Sequence, residues 1–212
     1  VKVNRILSAA LLAMTLALPA SAQQQQQLRF TGAGNVTGFG YYVGRYQGQI
    51  LSLPGQPTID LYCVDFLHHI QLGQTWSAWM SELGGSLEYT RGGSGAYGLY
   101  LRAAWLTQQY AGASTAEWKN IQATIWNLFN SGPTPTTGNY WMNLANQNYT
   151  QVNPKYFYVL TPTNKQESGS AQEFITYVTP EPETYAMFAS GLVVLGFLAL
   201  RRRRAANAVP TA

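Results

Sequence analysis

The sequence predicts an α+β domain, an antiparallel, sandwich- or barrel-like set of strands with a small helical subdomain. Three observations carry this expectation. Segments with a strand-like period of two come first, segments with a helical period follow, and short apolar strands close the chain. Gly- and Pro-rich stretches separate these blocks. No repeat at solenoid spacing joins them.

Gly38 to Leu53 alternates aromatic and polar residues around Tyr42, Val43, Tyr46 and Ile50, which predicts strand. Pro54-Gly55-Gln56-Pro57 is a turn. Thr58 to Ile70 contains Tyr62-Cys63-Val64 and reads as a half-buried strand, and Thr75 to Leu83 reads as another. Gly84 to Gly98 holds six glycines and is a loop. Tyr97 to Tyr110 then sets Tyr97, Leu101, Ala104, Trp105 and Gln108 at helical spacing. Ser114-Thr115-Ala116-Glu117 has the pattern of a capping box, with Ser114 and Glu117 each accepting from the other's backbone. It opens a helix running to about Phe129, with Trp118, Ile121, Ile125 and Leu128 on one face. Gly132-Pro133 ends that helix, and Tyr140 to Gln147 is a third. Tyr156 to Leu160 and Glu173 to Val178 are the closing strands.

The chain has 212 residues, 10% of them charged, and a formal net charge of +4. That excess is terminal, because Lys2, Arg5 and Arg201 to Arg204 supply it. Between Gln23 and Pro180 seven basic residues face seven acidic ones, which argues against nucleic-acid binding. Residues 1–22 read as a secretory signal peptide, processed by signal peptidase: Lys2 and Arg5 are the charged region, Ile6 to Leu18 the apolar one, and Ala20-Ser21-Ala22 the cleavage site. Residues 23–29 read as a polar, Gln-rich leader without fixed structure. At the other end, Pro180-Glu181-Pro182 precedes an apolar run at 185–200, then Arg201, Arg202, Arg203 and Arg204, then a tail at 207–212. The arginines would hold that side in the cytoplasm, as in a single-pass anchor. The order of these features over 180–206 resembles the PEP-CTERM sorting signal. That resemblance implies a protein anchored in the inner membrane after export, cut by an exosortase, and left at the cell surface or in the extracellular matrix. The segment 30–179 is then the exported domain.

Cys63 is the one cysteine, so no internal disulfide forms, and an unpaired thiol in an exported protein calls for an explanation. The plainest explanation is a buried thiol packed as a small hydrophobe. Two segments suggest another. Tyr62-Cys63-Val64-Asp65 and Gln122-Ala123-Thr124-Ile125-Trp126 resemble the paired motifs of bacterial Cys-Gln thioester domains, the TQXA type, with Ile121 where that family has Thr. The resemblance implies an internal thioester between Cys63 and Gln122 that captures an amine or hydroxyl on polysaccharide or protein. It implies no enzymatic turnover, no cofactor and no metal. The residues support this independently. A strand thiol and a mid-helix amide are carried by rigid elements, and Trp118 and Trp126 lie four residues on either side of Gln122, on its helix face. Their indoles would exclude water from the bond, while Tyr62 and Asp65 would support the Cys63 segment. The same residues also fit a core stripe with one satisfied polar side chain.

Asp65, His68 and His69 raise two further readings. A structural zinc site needs four ligands, and the chain has two histidines and one cysteine, so the metal reading fails. In a continued strand Cys63, Asp65 and Leu67 point one way and Val64, Phe66 and His68 the other, which separates Cys63 from His68. A cysteine hydrolase is therefore the third function considered, behind a non-covalent structural component of an extracellular polysaccharide. Gly32-Ala33-Gly34-Asn35 lacks dinucleotide-fingerprint spacing and is a turn. Exposed Tyr and Trp would suit glycan stacking.

Overall fold

The computed structural model describes residues 24–129 and 132–178. The expected signal peptide (1–22), most of the expected sorting signal with its apolar run at 185–200, and the tail lie outside the described residues. In chain order the strands are β1 (Gln24–Gly32), β2 (Thr37–Gly38), β3 (Tyr41–Tyr42), β4 (Tyr46–Ile50), β5 (Thr58–Cys63) and β6 (Thr75–Glu82). Helices α1 (Tyr97–Gln109), α2 (Thr115–Leu128) and α3 (Tyr140–Asn148) follow, then β7 (Phe157–Pro162) and β8 (Phe174–Tyr177). Six strands close into an antiparallel barrel in the order β1-β4-β5-β8-β7-β6, and β2 and β3 form a separate hairpin. The α+β class is as expected. No helix among the described residues is long and apolar enough to cross a membrane.

Two apolar clusters result. One fills the barrel with Leu28, Phe30, Tyr46, Leu61, Cys63, Trp76, Phe174 and neighbours. The other packs α1, α2 and α3 against its outer wall around Tyr62, Tyr100, Tyr110, Ile121 and Ile125. Alternation along β5 divides its residues between the two: Tyr62 faces the helices and Cys63 the barrel interior.

The Gln-rich leader is not a disordered tail. It is β1, the strand that closes the barrel by pairing with β4 on one edge and β6 on the other. Gln26, Leu28 and Phe30 point inward while Gln25, Gln27 and Arg29 point out. The exported domain therefore reaches back to Gln24. The run of glutamines hides this alternation, since one polar residue type occupies both faces. Ladder bonds on two sides and side-chain bonds, such as Ser77 Oγ donating to Gln27 Oε1 at 2.8 Å, hold a strand of low intrinsic preference.

Two further expectations change. The strand expected over 58–70 ends at Cys63, because the Asp65 carboxylate accepts from the backbone N–H of Leu67 (3.0 Å) and His68 (3.3 Å) and turns the chain. The α2 capping box does not form. Ser114 makes no side-chain cap bond, and its backbone oxygen accepts from Glu117 N–H at 2.9 Å. The Glu117 carboxylate is taken by the Trp141 indole of α3 at 3.0 Å, so a tertiary partner outcompetes the local one. On α1, Leu101, Ala104 and Trp105 are buried as expected, whereas Tyr97 and Gln108 face out.

Because Leu28 is fully buried in the barrel, Leu28→Ala is expected to lower stability by about 2–5 kcal/mol in urea unfolding. A flexible leader would give no measurable change.

Candidate functional site

The site is built where β5 meets α2. Val64 N–H donates to Glu173 O at 3.1 Å, so Tyr62 and Val64 exchange ladder bonds with the β8 side and Cys63 directs its carbonyl the other way. There β4 has already ended, since its first residue, Tyr46, pairs with Leu61. Gln122, fully buried in the middle of α2, fills the gap: its Nε2 donates to Cys63 O at 2.7 Å. Its Oε1 accepts from the Tyr110 hydroxyl at 3.1 Å. The carboxamide is thus held at both ends, by a strand and by the end of a neighbouring helix.

The thiol is fully buried on the same strand residue. Cys63 Sγ donates to Asp65 O at 3.1 Å and accepts from the Trp126 indole at 3.4 Å. Burial is the main force that pushes the thiol up from its ordinary 9.0 to about 12, with the hydrogen bonds from Trp126 and to Asp65 opposing it. Tyr110 is also buried, its ring 5.3 Å from that of Tyr62 and 5.4 Å from that of Trp118. Burial raises its phenol too, so it remains a hydrogen-bond donor at neutral pH.

The six central residues expected from sequence therefore gather at one place, though with differing roles. The Gln122 carboxamide donates a hydrogen bond to the Cys63 backbone oxygen, and the Trp126 indole donates to the sulfur. Tyr62 acts at one remove, packing against Tyr110. Trp118 is on the far side of Gln122, with its indole donating to Ala113 O at 3.3 Å. Gly44 packs under that indole at φ +106, where an added Cβ would lie 2.4 Å from Trp118 Cε3, so only glycine fits. Asp65 lies beside Cys63, but its carboxylate turns away to His68 Nδ1 (2.7 Å) and Arg91 Nε (2.9 Å). The alternation read across 63–68 does not apply, because the strand has ended. Neither histidine is a partner of the sulfur among the described residues. No cluster of metal-ligating side chains occurs among them either.

Sequence reasoning missed Tyr110, Arg91 and Glu173. Glu173 is buried and accepts from Arg91 N–H (2.7 Å), Tyr100 OH (2.6 Å) and Thr161 Oγ1 (2.6 Å). Burial raises its carboxyl, and those bonds oppose the shift. The Arg91 guanidinium bonds Lys165 O, Ser170 Oγ and Ala171 O as well as Asp65. Together with His68 these groups line a cavity of about 450 Å³, paired with one another by hydrogen bonds and by the Asp65–Arg91 ion pair, in which Arg91 Nε is close to the carboxylate but makes no hydrogen bond. They brace β8 and the Asp65 turn behind the thiol. No local pattern marks them, because their partners are some 80 residues away in sequence.

A comparison with protein families identifies the C-terminal segment. Residues 178–204 match the PEP-CTERM protein-sorting motif. The motif implies an exported protein directed to the cell surface and processed by exosortase. It covers the sorting segment and leaves the barrel domain unassigned. No curated protein and no solved structure matches the chain.

Two outcomes follow. In a host with exosortase, mass spectrometry of the mature protein should find it ending near Pro182; retention of Arg201 to Arg204 would refute processing. In Gln122→Ala, Cys63 is a thiol with no acyl donor beside it, and the burial that raises it to about 12 in the intact site keeps it above its ordinary 9.0. A raised value means stability that is present below pH 9 and lost as pH rises toward 12. Relative to Cys63→Ala/Gln122→Ala, which carries the same tyrosines, Gln122→Ala should lose about 1.4 kcal/mol per pH unit above that point in urea unfolding.

Proposed function

We propose that this exported protein captures an amine or hydroxyl covalently through an internal thioester between Cys63 and Gln122. The observation that supports this best is the doubly held carboxamide, with Nε2 on Cys63 O at 2.7 Å and Oε1 on Tyr110 OH at 3.1 Å. The carboxamide is thereby fixed on the residue that carries the thiol, so part of the entropic cost of bringing thiol and amide together would be met before reaction.

The step balances within the site. Sγ attacks Cδ of Gln122, the Cδ–Nε2 bond breaks, and the thiol proton leaves with the nitrogen as ammonia. Negative charge develops on Oε1 during the attack, and the Tyr110 hydroxyl is already aimed at that atom. An acceptor then attacks Cδ, sulfur departs as the thiol, and an amide or ester remains. Trp126 covers the sulfur and limits hydrolysis before an acceptor arrives. Each molecule reacts once. After exosortase processing, the captured group would be fixed to a protein at the cell surface or in the extracellular matrix.

One observation favours a second reading, a non-covalent matrix component. Cys63 is fully buried, both hydrogen-bonded and shifted to about 12, as befits an inert thiol.

Intact mass separates the two. The purified protein should weigh one ammonia less than its processed sequence, and native alkylation should miss Cys63. Methylamine should add at Gln122 and release the thiol, while Cys63→Ala and Gln122→Ala should each abolish the deficit and the adduct. Full mass with Cys63 alkylated would leave the matrix reading. Tyr110→Phe should slow thioester formation about a hundredfold, as loss of one oxyanion donor does, without unfolding the domain.

A further inference from the structure

A second cavity, of about 130 Å³, opens on the other side of Trp126. Tyr41, Tyr42, Phe66 and Trp126 form much of its wall, His69 and Gln172 add polar groups, and no Lys, Arg, Asp or Glu among the described residues lines it. The Phe66 ring centre is 4.9 Å from that of Tyr41 and 4.9 Å from that of Trp126, an aromatic chain from the surface to the indole on Cys63 Sγ. Tyr41 and Tyr42 are 42% and 55% exposed, the reverse of the burial seen for Tyr100 and Tyr110.

The geometry holding these rings is specific. Tyr41 and Tyr42 are β3 of the small hairpin, whose two-residue turn, Phe39 and Gly40, has φ of 58° and 84°. The hairpin lies against α2 so closely that a Cβ on Gly38 would come within 2.3 Å of Lys119 Cβ. The helix that carries Gln122 and Trp126 thus also sets the height of the exposed tyrosines.

We propose that this aromatic pocket is the entrance for the acceptor, and that it takes a terminal neutral sugar whose hydroxyl is captured. The inference rests on the thioester reading for its covalent step and on the pocket for its ligand. Flat aromatic faces without neighbouring charge suit the C–H faces of a sugar ring, and His69 and Gln172 offer hydrogen-bond partners to hydroxyls. A cation over the same rings would be held in its protonated form, which is not a nucleophile. The volume is far below that of sites that enclose whole ligands, about 300–1,000 Å³, so one end of a longer chain enters. In the covalent step the hydroxyl oxygen bonds to Cδ, the Cδ–Sγ bond breaks, and the hydroxyl proton passes to sulfur. The product is an ester at position 122 and a free Cys63 thiol.

The test uses the purified full chain with maltotriose, chitotriose and galactotriose, against lysine amide and glycerol, with methylamine as the pocket-independent nucleophile. Wild-type protein should gain an ester adduct at Gln122 with at least one trisaccharide and prefer it to glycerol at equal hydroxyl concentration. Tyr41→Ala and Tyr42→Ala should lower the ratio of sugar to methylamine adduct about tenfold, the scale of one lost stacking contact. Saturation-transfer NMR on Gln122→Ala measures sugar binding without chemistry, and the Tyr41→Ala substitution in that background should abolish it. Methylamine capture without sugar binding, or lysine amide outpacing every sugar, would overturn the proposal and leave the thioester standing. Sugar binding lost with Tyr41, in a protein that never shows the ammonia deficit, would uphold the pocket and overturn the thioester instead. No sugar binding in any variant would overturn the pocket whatever the thiol does.

Discussion

A single carbonyl left without a strand partner organises the centre of this domain. Cys63 ends β5 after β4 has stopped, and its C=O points where no strand remains to bond it. A buried carbonyl without a donor costs about 1–3 kcal/mol, so some group has to be brought to it. The group is the Gln122 carboxamide, which ties α2 to the barrel, and its own oxygen then needs the Tyr110 hydroxyl. That second bond ties the end of α1 to α2 and leaves Tyr62 and Trp118 to pack the phenol ring. Strand end, helix position and aromatic packing follow from one polar debt.

The other half of the site is held from behind. Glu173, Arg91 and Asp65 form a buried polar network in which each charge meets several partners, the condition under which such groups are tolerated in a core. Its effect at the thiol is mechanical. Asp65 turns the chain after Cys63, and its backbone oxygen accepts the thiol proton. The sulfur is therefore fixed between a rigid turn and the Trp126 indole. A thiol held this way is poor at ionising, because burial outweighs its two hydrogen bonds.

Burial on this scale has a consequence for access. The proposed thioester would be shielded from its acceptor as well as from water, so capture would need a route at an edge of the shield. The hairpin of β2 and β3 supplies aromatic surface at that edge, and glycine at positions 38 and 44 lets the chain approach α2 where any side chain would push it off. Reactivity and selectivity would thus meet at one indole, whose N–H edge is on the sulfur and whose ring packs against Phe66.

Much of this was legible in the residues themselves. Period-two and helical spacing located β4 to β8 and the three helices, because a half-buried element must repeat its apolar face. The sorting segment was legible because its three features act locally, without a fold. The resemblance of two short segments to paired Cys-Gln motifs drew Cys63, Gln122 and Trp126 together, and the fold brings them into hydrogen-bond contact. What the sequence left open depends on partners far along the chain. The glutamines of β1 carry no hydrophobic alternation, and only closure of the barrel on both edges makes them a strand. Ser114 and Glu117 form a cap pattern, but Trp141 takes the carboxylate once α3 packs. Tyr110, Arg91 and Glu173 become site residues only when distant segments meet, since a hydrogen bond is decided by position in space and a sequence pattern records only neighbours.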